Sequence, residues 1–556
     1  RKNDVRVKLM ETQQTTVEKR LKMLRRWHSK GGVMLITYDT FLSLTKDFDT
    51  FATTSQKKTT KARPQFQISR EQSLEFHRLL RDPGPDLVVL DEAHLHLKGS
   101  SNSAKKENQK SVALRKIKTP RRIALTGTPL QNCLKEYFTL LDFIAPCVIG
   151  KDQNEFNNRF ANPISAGQER TASVQAKEDA QKMLYIFNQK TNSIVHRRDH
   201  SILANELPTK LETVMYVVAT PLQKSIYRKM VACFKRQDRF NYLEQHSFLS
   251  KVCCHPEILT HEHAKARKRK SKKADRGADD DSSDSSDDDA PTPSLHDSDD
   301  EDGASGPAKK GKENKNQVKW SNWIASEFGD KLKRPNEVGF VELSSKLTVA
   351  MKIIELSVKK GDKLLFFSHS LGALFLVEQL LLHKYPSWRA GVQFRRLDGS
   401  STPEQRTTAS QEINKPDSHI RLLLLSTKAM SVGINLFGAN RVIIFDMGWN
   451  PSHDLQAIFR TYRYGQTQRV YVYRIIMDKS ADDVMYKRQV QKLDLALTVV
   501  DKFQAEAHFD SLDFIKYTLD SDEEDYVKED VEEDDSNTKN NNSNNNNNDN
   551  NNNNNN

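Results

Sequence analysis

Cysteine is scarce: five in 556 residues, at positions 133, 147, 233, 253 and 254. An odd number whose only close pair is adjacent offers neither a disulfide framework nor a chelating spacing. Zinc is therefore not expected, and the thiols read as reduced, in an intracellular protein. Long apolar runs are missing too. No stretch approaches the roughly 20 residues of a membrane-spanning helix. There is no basic amphipathic helix and no lipidation signal, so no membrane partner is expected. Arg1-Lys2-Asn3-Asp4 does not read as a secretory leader. Apolar content is only 36% and mean hydropathy −0.72, so part of the chain is expected to remain unfolded.

Two segments account for that. Residues 279–302 hold 12 acidic and no basic residues, and residues 510–535 hold 13 acidic and 2 basic. Setting both aside leaves 84 basic against 49 acidic residues, so the net charge of the remainder is +35 rather than +12. A basic body suits a polyanion, because each neutralised phosphate releases counterions.

Val33-Met34-Leu35-Ile36-Thr37-Tyr38 follows Gly31-Gly32 and reads as a short strand running into polar residues. Leu87-Val88-Val89-Leu90 follows the turn Asp82-Pro83-Gly84-Pro85 and is apolar throughout, as in parallel strands covered on both faces. Ile123-Ala124-Leu125 leads into Thr126-Gly127-Thr128-Pro129. A second block begins near Gly361: strand Lys363–Phe367, helix Leu371–Leu382, strand Leu422–Leu425 running into Ser426-Thr427-Lys428, and strand Val442–Phe445. Strands alternating with helices in two separated blocks predict an α/β protein of two lobes, with parallel sheets flanked by helices. Each polar motif falls at a strand's carboxyl end, where open α/β sheets place their ligands.

The expected organisation is a first lobe over 1–150 and a helical region over 151–261. A disordered basic-then-acidic insertion spans 262–316 and a lead-in 317–345. The second lobe covers 346–500, a helical brace 501–519, and an acidic, then asparagine-rich, disordered tail 520–556. Arg267–Lys273 suits a nuclear import signal or, equally, a solvated linker balancing its acidic neighbour. Acidic segments of this kind offer docking for protein partners.

Asp91 and Glu92 close the buried strand. A carboxylate there can hold Mg2+ beside nucleotide phosphates, and its neighbour can position the attacking water. Asp-Glu alone would be an ordinary acidic turn; four preceding apolar residues, Ala93-His94, and the later Thr126–Asn132 reverse that reading. Asn450 is a plausible cap and Pro451 a first helical residue for a helix expected to run to Gly465. Gln456, Arg460 and Arg463 would share one face of it. Guanidinium groups suit the spread charge of a transferring phosphoryl group. Ser426, Thr427 and Lys428 offer hydroxyls and a cation for gripping a phosphate backbone. Gly433, just before Ile434-Asn435, permits close approach to a ligand. Gly306–Lys312 has the spacing of a phosphate-cradling loop, but Glu313 stands where a Ser or Thr should be, and no strand precedes it. It is a chance match. Cys253-Cys254-His255-Pro256 reads as a buried helix end.

These blocks resemble the helicase-like ATPases of the SWI/SNF-type chromatin-remodelling family, within superfamily two. Asp91–His94 is similar to motif II, Leu125–Asn132 to motif III, Leu364–Ser370 to motif IV, Ser426–Asn435 to motif V and Gln456–Gln466 to motif VI. Phe160-Ala161-Asn162-Pro163-Ile164 and Val470-Tyr471-Val472-Tyr473-Arg474 resemble the ATRX-type subgroup. The resemblance implies two RecA-like lobes, ATP and Mg2+ as cofactors, and double-stranded DNA, with nucleosomes and histones, as partners in the nucleus. It implies that Asp91 binds Mg2+ and Glu92 is the catalytic base. His94 and Gln131 would couple hydrolysis to movement, and Arg460 and Arg463 would complete the site. Gly433, Asn435 and Gln456 would line the nucleotide. Thr37, Tyr38, Ser368, Ser426, Thr427, Lys428 and Trp449 would face DNA or couple to it. Met430-Ser431-Val432 departs from the family's usual Gly-Gly-Leu.

The family's motif I is not found, so the first lobe is expected to be truncated and the chain inactive by itself. Three alternatives stay open: an ATP-independent DNA- or chromatin-binding scaffold, a DNA-repair or recombination translocase of the same family, and an RNA-directed enzyme of the superfamily.

Overall fold

The computed structural model describes residues 7–10, 16–46, 68–97, 108–127, 134–167, 172–198, 206–236, 242–259, 323–324, 326–427 and 433–500, with side chains to 493. Gln131, Lys428, the 262–316 insertion, the Gly306–Lys312 match and everything beyond 500 lie outside those residues.

The first lobe contributes four short strands in two parallel pairs: β1 (Val7–Met10) with β2 (Val33–Ile36), and β3 (Val88–Leu90) with β4 (Arg122–Ala124). Around them lie α1 (Val17–Lys30), α2 (Tyr38–Leu44), α3 (Arg70–Leu80), α4 (Gln109–Arg115), α5 (Leu134–Ile144) and α6 (Val174–Thr191). Thr16, Thr37, Ser69, Asn108 and Ser173 cap five of these helices, each side chain accepting from a backbone N–H of the first turn. Phe156, Phe160 and Phe187, all fully buried, pack ring against ring and fasten α6 to the lobe.

Coverage of both faces, expected from the apolar run at 87–90, does not hold. Met10, Val88 and Leu90 point into the core, while Val7, Leu9, Val33 and Leu35 on one pair and Leu87, Val89, Ile123 and Leu125 on the other are about half exposed. Side chains alternate across a strand, and helices cover only one face of each pair.

The second lobe is a six-stranded, all-parallel sheet. Its strands are β5 (Lys210–Val217), β6 (Leu364–Ser368), β7 (Phe394–Leu397), β8 (Leu422–Ser426), β9 (Arg441–Ile444) and β10 (Val470–Met477), in the order β5-β10-β9-β6-β8-β7. Alternate residues feed two cores. Leu365, Phe367, Leu423 and Leu425 face one side with α7 (Pro221–Arg236) and α8 (Tyr242–Cys254). Leu364, Phe366, Leu422 and Leu424 face the other with α9 (Ser345–Lys359) and α10 (Leu371–Lys384). Burial on both faces explains why β6 and β8 read as unbroken apolar runs. Also present are α11 (Pro403–Asn414), α12 (Pro451–Ile458) and α13 (Ala481–Val500).

Two expectations are corrected here. Lys210–Val217 is not part of a helical region; it is an edge strand of the second lobe, paired with β10 over eight residues. With α7 and α8 in that lobe's core, the lobe draws on the chain well before residue 346. The helix after Asn450 ends at Ile458, not near Gly465.

Candidate active site

The carboxylates sit where β3 stops. Leu125 N–H donates to Leu90 O (2.8 Å) and Ala93 N–H to Leu125 O (3.1 Å), stitching the two strand ends together. Glu92 takes a left-handed backbone conformation (φ 46°), a strained state for a non-glycine residue that functional turns tolerate. Asp91 is exposed; its Oδ1 accepts from the Glu92 N–H (3.0 Å) and its carbonyl from the Tyr38 hydroxyl (2.7 Å). His94, buried, brings Nδ1 to 2.6 Å from Thr126 Oγ1 and 3.4 Å from Glu92 Oε2. One imidazole thus joins the carboxylate strand to the neighbouring strand's loop. Burial, then the charge of Asp91, raises the Glu92 pKa against the opposing pull of Arg460.

Arg460 approaches from the second lobe. Burial and Arg463 lower its pKa, and Glu92 works against them. The coupling runs both ways, so the acidic turn of the first lobe and the arginine turn of the second lie within electrostatic reach of each other. Asn450 Oδ1 accepts from Ser452 N–H (3.1 Å) and Pro451 opens α12, as expected. Past the helix the chain is held from the side: Leu436 N–H donates to Arg460 O (2.9 Å), and buried Gln466 Nε2 donates to Thr461 O (3.4 Å) and to Ala439 O of the preceding loop (2.8 Å). Arg460 and Arg463 therefore stand on a tight turn after the helix, not on a common helical face with Gln456. Gly433 lies beside the guanidinium: a Cβ built on it would be in ordinary contact with Arg460 Nη1, at 3.8 Å, so space alone does not require glycine here. The Asn435 carbonyl accepts from Ser410 Oγ (2.6 Å) and Asn414 Nδ2 (2.9 Å), fixing the loop.

The residues expected at DNA divide. Thr37 is exposed, with its hydroxyl capping α2 and donating to Thr40 Oγ1 (2.8 Å). Tyr38 points to the Asp91 carbonyl and lies against the His96 ring. Ser368 is corrected: its hydroxyl is fully buried and donates to Asp446 Oδ2 (2.7 Å). Ser426 and Thr427 are also buried, because β8 is an interior strand. Trp449 is half-buried; Tyr242 and His246 meet it edge-on, and the Arg488 and Lys492 cations lie over it at 5.6 and 5.2 Å.

Sequence reasoning missed Arg197 and Arg198. Together with Asp91, Glu92, Thr126 and Tyr137 they line a cavity of about 480 Å3. The paired arginines after Ile194-Val195 were a signal that could have drawn attention. Cys253, Cys254 and His255 are buried at the end of α8, as read.

Mg2+ holds several waters and takes only one or two protein carboxylates. An exposed Asp91 at a strand end fits that demand. Among the described residues no cluster of three or more His, Cys, Asp or Glu side chains could cage a metal.

Residues 3–258 match the SNF2-related domain and residues 345–465 the helicase conserved C-terminal domain, together well over half of the chain. Human Helicase ARIP4 is 33% identical over 540 residues, covering 91% of this chain and 36% of that protein. Protein CHROMATIN REMODELING 20 of Arabidopsis thaliana is 32% identical, covering 88% and 31%. Human Transcriptional regulator ATRX is 32% identical, covering 91% and 22%. The chain thus spans between about a fifth and two fifths of the length of such relatives. The Sulfolobus solfataricus SWI2/SNF2 ATPase core in complex with dsDNA is 19% identical, covering 90% of this chain and 77% of that one. Its TM-score of 0.33 is too low to bear on the arrangement of the lobes.

Proposed function

As a member of the SNF2-related family of helicase-like ATPases, the chain forms, we propose, the catalytic core of an ATP-driven translocase on double-stranded DNA in chromatin. The observation that carries this reading is the carboxylate turn after β3, where His94 joins Glu92 to Thr126, set close enough to the arginine turn after α12 for Glu92 and Arg460 to perturb each other. Asp91 would hold Mg2+, which when bound neutralises phosphate charge. Glu92, whose pKa is raised by burial and by Asp91, would take the proton of the attacking water. Arg460 and Arg463 would stabilise charge developing on the transferred phosphoryl group. His94, touching both Glu92 and Thr126, would report the state of the site to the loop that leads on to Gln131. Thr37 and Lys428 would meet the DNA backbone, and Trp449, clasped between α8 and α13, would couple the lobes. Nucleosomal histones, partners on the acidic segments and a nuclear location belong to the same proposal.

Among the described residues, the first lobe's strands form two separate pairs, each with an apolar face about half exposed, and this supports the further reading that the lobe needs more strands to be complete. Without a phosphate cradle the chain by itself would turn over ATP negligibly. The test compares ATP hydrolysis by this chain and by an N-terminally longer form, with duplex DNA, single strands or RNA. Negligible turnover by the chain, and duplex-stimulated turnover by the longer form, are expected. Robust turnover by the chain alone contradicts the incomplete lobe. A longer form that binds DNA without hydrolysing ATP is a scaffold, and one stimulated by RNA acts on RNA.

A further inference from the structure

Beneath the arginine turn runs a closed circuit of polar contacts. Asp454, on α12 and fully buried, lies six residues before Arg460. Its Oδ1 is 3.3 Å from His369 Nε2, just past the end of β6. Its Oδ2 accepts from Gln489 Nε2 of α13 (2.7 Å) and lies 3.7 Å from Arg474 Nη1 of β10. Arg474 Nε donates in turn to Glu212 Oε1 on β5 (2.6 Å), and Glu212 Oε2 is 3.3 Å from Lys210 Nζ. The Lys210 ammonium then sits 5.7 Å from the Phe459 ring and 5.8 Å from the Tyr462 ring, the residues that flank Arg460. The circuit leaves α12 at its first turn and returns just past its end.

We propose that Asp454 is a positioning residue for Arg460, and that β5 and α13 act on the arginine turn through it. The proposal rests on the motor reading above. A buried carboxylate is costly unless it is paired and hydrogen-bonded. Burial alone would lift the Asp454 pKa; His369 and Arg474, with Gln489, outweigh it, and the pKa is lowered. The partners come from three different elements, so the carboxylate fixes α12 relative to all of them. Gln489 also donates to Gly448 O (2.6 Å) and Lys492 to Trp449 O (2.9 Å), so α13 grips the loop that feeds α12 as well. α12 is only eight residues long; besides Asp454, Ala457 and Ile458 anchor it in the core. β5 is the edge strand by which the chain enters the second lobe's sheet, so strain arriving through it reaches Arg460 by way of Glu212, Arg474 and Asp454. A displacement of about 1 Å at a catalytic group is enough to cost on the order of 100-fold in rate.

The test uses the full-length protein with duplex DNA and a double-mutant cycle. Asp454→Asn should lower kcat by about tenfold or more, and Glu212→Gln by several-fold, with KM for ATP and duplex affinity little changed. In an Arg460→Ala background neither substitution should lower kcat further. Additive losses in that background would mean a general structural role, and unchanged kcat in the parent background would mean none; either overturns the proposal. Should Asp454→Asn fail to fold, Glu212→Gln and Gln489→Ala carry the same cycle. Unchanged kcat in Arg460→Ala itself, or no turnover by the unmodified protein, overturns the motor reading and this one with it.

Discussion

His255 shows how far a single side chain is fixed by its surroundings. Its Nε2 donates to the Phe340 carbonyl (3.1 Å), its Nδ1 accepts from the Glu257 N–H (3.1 Å), and its ring stacks on Phe340 at 4.3 Å. That pattern uses the neutral imidazole completely, and burial pushes the pKa down from 6.5 to about 4. An unfolded chain takes up a proton below pH 6.5 that the folded protein refuses. This contribution is therefore fully present above pH 6.5 and declines as pH falls from about 6.5 to about 4, by up to about 3 kcal/mol. Denaturant unfolding at pH 7.5 and pH 4.5 should show the loss, and His255→Gln should reduce the difference; equal pH dependence in both proteins would contradict it. At this scale the sequence marked Asp91 and Glu92 as candidates, because charge at the end of an apolar run is conspicuous, whereas Arg460 and Arg463 were expected on a helical face and stand on a turn. It did not reveal that Ser368 turns inward, since a hydroxyl's direction is decided by Asp446, far off in sequence.

Elements were legible where one kind of burial prevailed. The strands at 364, 422 and 441 are covered on both faces and stood out as apolar runs. β5 did not, because an edge strand with most of its residues exposed or half-exposed and no regular alternation is easily lost beside the long helices on either side. The length of α12 was overestimated: past Ile458 the chain is held by the 436–440 loop, which no local pattern encodes. Lys346, at the start of α9, forms an ion pair with Asp482 in the first turn of α13, both side chains almost wholly buried, and its ammonium lies 5.2 Å from the Phe445 ring. Lys346→Ala leaves a buried charge unpaired and should cost about 3–5 kcal/mol. Replacing both partners with apolar residues of similar size should recover much of it. A double replacement as unstable as the single one would show the pair to be irreplaceable. Phe187→Ala, which empties the aromatic cluster under α6, should cost about 3–5 kcal/mol in the first lobe. A loss below about 1 kcal/mol in thermal unfolding would mean the cluster collapses to fill the space.

For the molecule as a whole, the asymmetry between the lobes matters most. The second is closed on both faces of its sheet, whereas the first leaves eight apolar side chains half exposed on its two strand pairs. Exposed apolar side chains on strand faces promote association. The chain by itself is expected to bind an apolar dye and self-associate in sedimentation, and the longer form to do neither; a monomeric, dye-silent chain would contradict this. The central claim is that the carboxylates after β3 and the guanidinium groups after α12 close on one nucleoside triphosphate. Its most direct test is DNA-stimulated turnover of the full-length protein carrying Glu92→Gln or Arg460→Ala, each compared with the parent. Both should lose roughly 1,000-fold in kcat while still binding duplex DNA. Parent-like turnover in either variant would contradict a shared site.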